Sequence, residues 1–218
     1  LFGGLNGGDS QDGAVAQYVG GRRTSRKVFE QSHLLIGFES PSYRDKDFYA
    51  AQVFSGLFGG GMSSRLFQAA RENRGLCYAI YSTAWGMVDS GMFDIHAATG
   101  PEQMGELIDV IGAELFNLAS SPPTVAEVAR AKAQLKAALL TSFESSSARA
   151  EQMARQLLFF DRLLPASELV ERIEEVTPER IRAVAERVAR SAPPSIAVVG
   201  AGRRSSDYAI RAERRLAS

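Results

Sequence analysis

The sequence predicts an α+β fold of two layers, a mainly antiparallel sheet with helices packed on one face. Three observations predict it. A pair of strand-like runs stands as a hairpin in "LCYAIYSTAWGMVDSGMFDIHAA", residues 76–98. Further strand-length apolar runs lie towards the two ends, "KVFEQSHLLIGFES" at 27–40 and "PSIAVVG" at 194–200. Between and after them the chain has helical period, and strands grouped with helices in this order need a second layer to bury their apolar sides.

Residues 1–22, "LFGGLNGGDSQDGAVAQYVGGR", are rich in Gly, Asp and Ser without a sustained period and read as a lead-in loop or linker. Leu1 in place of Met reads as a processed or trimmed start. The run at 27–40 alternates and then becomes almost continuously apolar, the pattern of a strand buried on both faces or close to it. Phe48, Ala51, Phe54, Leu57 and Phe58 then recur at helical spacing up to the triple glycine 59–61, which stops the helix. A second helix is expected over 62–75, with Ser63 or Ser64 as its cap and Gly75 at its end. The hairpin turns near "VDSG" at 88–91. Helices are expected at 101–119, about 124–143, 146–161 and 177–190, the last opened by Thr177 and Pro178. The domain so defined spans 23–202. The basic tail 203–218 is expected to be a frayed, solvated end.

The chain has 218 residues, and its 25 basic side chains balance 25 acidic ones. Nothing in that balance points to nucleic acid or an anionic membrane surface. A single cysteine, Cys77, excludes an intrachain disulfide, and its place in "LCYAIY" marks it as a small buried hydrophobe. No apolar run reaches the roughly 20 residues of a membrane span, and no signal segment opens the chain. The compartment stays open, with the cytoplasm as the expectation.

A peptidase zinc site needs histidines spaced to reach one metal from one face, and the two histidines, His33 and His96, are sixty-three positions apart. Each is expected to be a hydrogen-bonded structural residue, with no metal site and no cofactor in this chain. No serine or cysteine nucleophile has a signature around it. "GGGMSSR" lacks the Gly-Lys-Ser/Thr of a phosphate loop, and "VVGAGRRS" has too little chain after it for a dinucleotide fold.

Five blocks remain: "YVGG" (18–21), "EQSHLLIGF" (30–38), "GGGMSSRLFQAARENRGLCYAI" (59–80), "ESSSARAEQMARQLL" (144–158) and "PSIAVVG" (194–200). Together they resemble the C-terminal, metal-free half of the pitrilysin-type zinc metallopeptidases, most of all the bacterial relatives of the mitochondrial processing peptidase. The resemblance implies one of two similar halves that close like a clamshell around an unfolded, extended peptide. It implies zinc and a His-x-x-Glu-His motif in the other half, which is the catalytic one. It also implies that an arginine and a tyrosine seven positions apart, here Arg71 and Tyr78 in "RENRGLCY", reach into that half's site.

The inverted zinc motif occurs nowhere in the 218 residues, so the chain alone is expected to be inactive. Expected partners are a catalytic half, on the same polypeptide or a separate subunit, in a homo- or heterodimer, and a peptide substrate. The alternative is a structural or partner subunit of the same fold, like the core proteins of respiratory complexes. The residues themselves agree with the carry-over. Phe67 and Arg71 share a helix face, and Gly75 lets the chain reverse into the strand bearing Tyr78. A guanidinium fork and a phenol both donate to a peptide carbonyl. Arg65 and Arg74 read as arginines on a solvated helix end. Gly59, Gly60 and Gly61 read as a helix stop and as a mobile loop beside the peptide chamber.

Overall fold

A computed structural model describes residues 14–216. Four strands form one sheet in the order β2-β3-β1-β4, with β1 at Gly21–Glu39, β2 at Ala79–Gly86, β3 at Gly91–Thr99 and β4 at Ser195–Ala201. β1 pairs antiparallel with β3, from Ser32 opposite Thr99 to Glu39 opposite Met92, and β3 pairs antiparallel with β2. β1 is longer than its sequence pattern announces because its first half is polar and exposed. That half, Gly21–Thr24, runs parallel to Ser195–Val198, while residues 33–37 meet 199–195 in the opposite sense. The strand therefore bends round the end of β4 and lies on both of its sides.

Seven α-helices complete the described chain: α1 Phe48–Gly59, α2 Met104–Ser120, α3 Val125–Ser142, α4 Ser146–Phe160, α5 Ala166–Glu174, α6 Pro178–Arg190 and α7 Ser205–Leu216. Alternate strand residues point to the helices and are buried: Leu34, Ile36 and Phe38, Ile80, Phe93 and Ile95, Ile196 and Val198. Phe54 and Phe58 of α1 reach Phe93, with ring centroids 4.7 and 6.0 Å apart. α1 lies against β2, α7 against β4 and β1, and α2 packs on α6 and α7. The single core that results is the two-layer α+β arrangement the patterning predicts.

Caps fix the helix starts. Thr124 accepts from Glu127 N–H while the Glu127 side chain returns to the Thr124 backbone, a capping box, and the Thr177 hydroxyl accepts from Arg180 N–H. Ser63 and Ser64 do not cap in this way. The helical stretch after the triple glycine starts at Arg65, the Ser64 carbonyl accepts from Gln68 N–H, and the buried Ser64 hydroxyl finds no partner.

Two helices were not expected. α5 is short and lies between two longer periodic segments. α7 replaces the frayed tail expected from the Arg-rich terminus. Ala209, Ala212 and Leu216 fall on one face and are buried, while Arg211 pairs with Asp109 of α2, and Arg204, just before the helix, pairs with Glu102. The charges that made the segment look solvated occupy its outer face. Of the lead-in, residues 1–13 lie outside the described part. Residues 14–20 have no regular structure but are tied down: Tyr18 Oη donates to Gly37 O at 2.8 Å and accepts from Ser195 N–H at 2.8 Å.

Candidate functional site

The block at 59–80 joins the C-terminal end of α1 to β2. Gly59 has no room for a side chain, because a β-carbon there would stand 2.5 Å from the Ser82 nitrogen. α1 comes this close because it covers the outer edge of β2: Ser55 Oγ donates to Ser82 O at 3.0 Å and Gln52 Nε2 to Ala84 O at 2.7 Å. A helix laid along an edge strand removes it as a pairing template. The first of the three glycines thus has a packing role that its sequence context does not reveal.

Residues 67–72 are wound as a π-helix, a rare form that recurs at functional sites, and Arg71 lies in it. Gly75, at φ +61°, ends it as expected. Gly75 N–H donates to Arg71 O and Leu76 N–H to Ala70 O. Each bond spans one residue more than in an α-helical Schellman end, which is what the wider winding requires. The reversal delivers Cys77 into the core, where burial pushes its thiol pKa up against the opposing pull of Arg71. Tyr78 follows, 63% exposed, its N–H on Ala98 O at 2.9 Å.

The three arginines of the block separate cleanly. Arg65 holds both carboxylate oxygens of Glu127, at 2.7 and 3.1 Å, and this pairing is the first cause of a Glu127 pKa lowered to about 2. Arg74 donates to Ala69 O at 2.7 Å and so satisfies a carbonyl at the helix end. Arg71 makes no ion pair with a carboxylate among the described residues. It is exposed, with its guanidinium 4.8 Å from the Phe67 ring centroid. Phe67 and Arg71 share a face as the spacing predicts, and Arg74 stands at an exposed helix end as expected, whereas Arg65 is half-buried against Glu127 instead of solvated.

The sheet face turned away from the helices carries a second group of polar residues. Tyr81, Thr83 and Trp85 of β2 alternate with the buried positions, and Asp94 of β3 accepts from Thr83 Oγ1 at 2.6 Å and from Trp85 Nε1 at 3.3 Å. A groove of about 510 Å³ runs beside them, between Val19–Arg23 and Leu35, Gly37, Met92, Asp94 and Ala197. His33 and His96 meet on this face, each the hydrogen-bond partner of the other at 3.4 Å. Burial first, then the neighbouring His33, pushes the His96 pKa down, with Asp94 opposing. The expectation of hydrogen-bonded histidines is met, but their mutual contact depends on strand register that no local pattern carries. The period of two in "YSTAW" and "MFDIH" was the available signal for the rest of this face.

Among the described residues no three of His, Cys, Asp and Glu gather where a metal ion could be held, so these side chains do not fit a peptidase zinc site. A family model described as the peptidase M16 inactive domain matches residues 1–135. The chain belongs to this family. Relatives of the M16 domain include an uncharacterized zinc protease of Streptomyces coelicolor, 34% identical over 83% of this chain and 41% of its own length. One from Rickettsia felis is 33% identical over 92% and 48% respectively. The chain thus spans less than half the length of these curated relatives. Among solved structures, a chain of complex III2 from Candida albicans, with Inz-5 bound, superposes with a TM-score of 0.81 at 19% identity, over 92% of this chain and 50% of that one. A peptidase M16 inactive domain from Pseudomonas fluorescens gives 0.69 at 23%, over 84% and 44%. These two structures establish the fold.

Proposed function

We propose that this M16 inactive domain is the substrate-clamping half of a zinc-dependent metalloendopeptidase and that Arg71 and Tyr78 are its contribution to the catalytic half's site. The observation that carries this reading is the state of Arg71. Its two neighbouring arginines are bound to groups of their own domain, whereas Arg71 is exposed on a π-helical turn, a few residues before an equally exposed Tyr78. A guanidinium and a phenol left facing outward are donors available to a carbonyl from outside the domain. The edge of β2 is covered by α1, so an extended peptide is held across the open face rather than added to the sheet at residues 82–84. The triple glycine 59–61 borders the chamber in this reading, with Gly60 and the following Met62, both exposed, as its outward part.

As a scissile carbonyl is attacked, negative charge grows on its oxygen, and a donor fixed there stabilises the transition state more than the ground state. In the intact protein Tyr78→Phe should lower kcat by roughly 10²-fold, as removal of one oxyanion donor does. Its melting temperature should not change. Arg71→Lys should not restore the activity lost in Arg71→Ala, because an ammonium lacks the fork. Full kcat in Tyr78→Phe would transfer support to a second reading, a non-proteolytic structural subunit. That reading is favoured by the close superposition on a chain of complex III2.

A further inference from the structure

The chain has two histidines, and the fold places one against the other, with His33 Nδ1 and His96 Nε2 3.4 Å apart. We propose that this pair is a binding site for a divalent first-row transition-metal ion, Cu²⁺, Ni²⁺ or Zn²⁺, on the open face of the sheet. Imidazole nitrogens bind zinc at about 2.0–2.1 Å, so two of them at a tetrahedral angle stand about 3.4 Å apart. The observed separation already has that value. An ion on the solvent side of the pair is reached by turning the exposed His33 ring. The backbone positions are fixed by the β1–β3 ladder, in which His33 opposes Ala98 and Leu35 opposes His96, making the histidines diagonal cross-strand neighbours.

The surroundings keep the site available. His33 is exposed, and the Tyr81 ring lies 4.9 Å from that of His96 and limits its freedom. Metal binding needs neutral imidazole, so uptake should weaken as the pH falls. Two features limit the affinity. No third protein ligand is at hand among the described residues, which leaves the other positions to water. His96 Nδ1 is buried without a partner, so no acceptor orients the ring from behind. A micromolar rather than a structural-zinc affinity follows, with Cu²⁺ held most tightly.

The tag-free chain, titrated calorimetrically with CuCl₂ and ZnCl₂, should take up one ion, with Kd on the order of 1–10 µM for Cu²⁺ and weaker for Zn²⁺. Electron paramagnetic resonance of the one-equivalent Cu²⁺ sample should show two coordinating nitrogens. His33→Gln, at an exposed position, should weaken binding at least about tenfold with an unchanged melting temperature. His96→Gln should act in the same direction. Absence of binding up to about 1 mM, or one-to-one uptake that survives His33→Gln, would reduce the pair to a plain imidazole hydrogen bond and overturn the proposal.

Discussion

The two faces of the sheet are built from the same strands and have little else in common. Towards the helices, β1, β2 and β3 present Leu34, Ile36, Phe38, Ile80, Phe93 and Ile95, all buried. Away from them, the intervening residues are His33 and Leu35, Tyr81, Thr83 and Trp85, Asp94 and His96, and most are exposed or half-exposed. One face is specified by volume. The other combines aromatic rings with hydrogen-bonded polar groups, the composition of a surface that meets a partner or a ligand.

The largest test of that contrast is truncation on either side. Phe93→Ala empties a site surrounded by Phe38, Phe54 and Phe58 and should cost about 3–5 kcal/mol. Trp85→Ala, at a position 43% exposed, should cost less than about 1 kcal/mol. Urea midpoints of the two variants measure both, and equal losses would mean that the open face is part of the core. Next comes Gly59→Ala, which forces a methyl against the Ser82 backbone and should destabilise by about 1–3 kcal/mol through displacement of α1 from the β2 edge.

The smallest effect is electrostatic. The folded pKa of His96 lies below its unfolded value of about 6.5, so the unfolded chain binds the proton more readily. The stability is therefore complete above about pH 6.5 and is lost as pH falls below it. The groups facing His96 are His33 on β1, Asp94 on β3 and Tyr81 on β2. Urea midpoints between pH 7.5 and 5, in chelator, should fall less steeply for His96→Gln than for the parent. Identical slopes would show that His96 contributes nothing to the pH dependence.

The covered face was readable from sequence because burial writes apolar residues at a fixed period, as in "HLLIGF" and "MFDIHA". α7 was not, because only three small or apolar residues pack and three arginines stand among them. The start of β1 was not, because a polar edge does not alternate. The Arg71–Tyr78 pair was marked by the family resemblance rather than by its spacing, and the π-winding adds a residue to the turn without a signature of its own. The meeting of the histidines was invisible for another reason. It depends on the pairing of strands sixty residues apart, and only the assembled sheet sets that register.

The bend of β1 round β4 has a consequence for how the protein is made. Gly37 pairs with Ser195, so the central strand leaves the ribosome about 160 residues ahead of a neighbour it needs. At 5–20 residues per second, that side of β1 waits on the order of 10–30 s with its backbone unpaired. Until α7 and β4 arrive, the nascent chain carries an open apolar strand edge, the feature on which misassembly between neighbouring polysomal chains begins. Slow codons in the C-terminal half lengthen that interval, and the yield of soluble protein should fall with them.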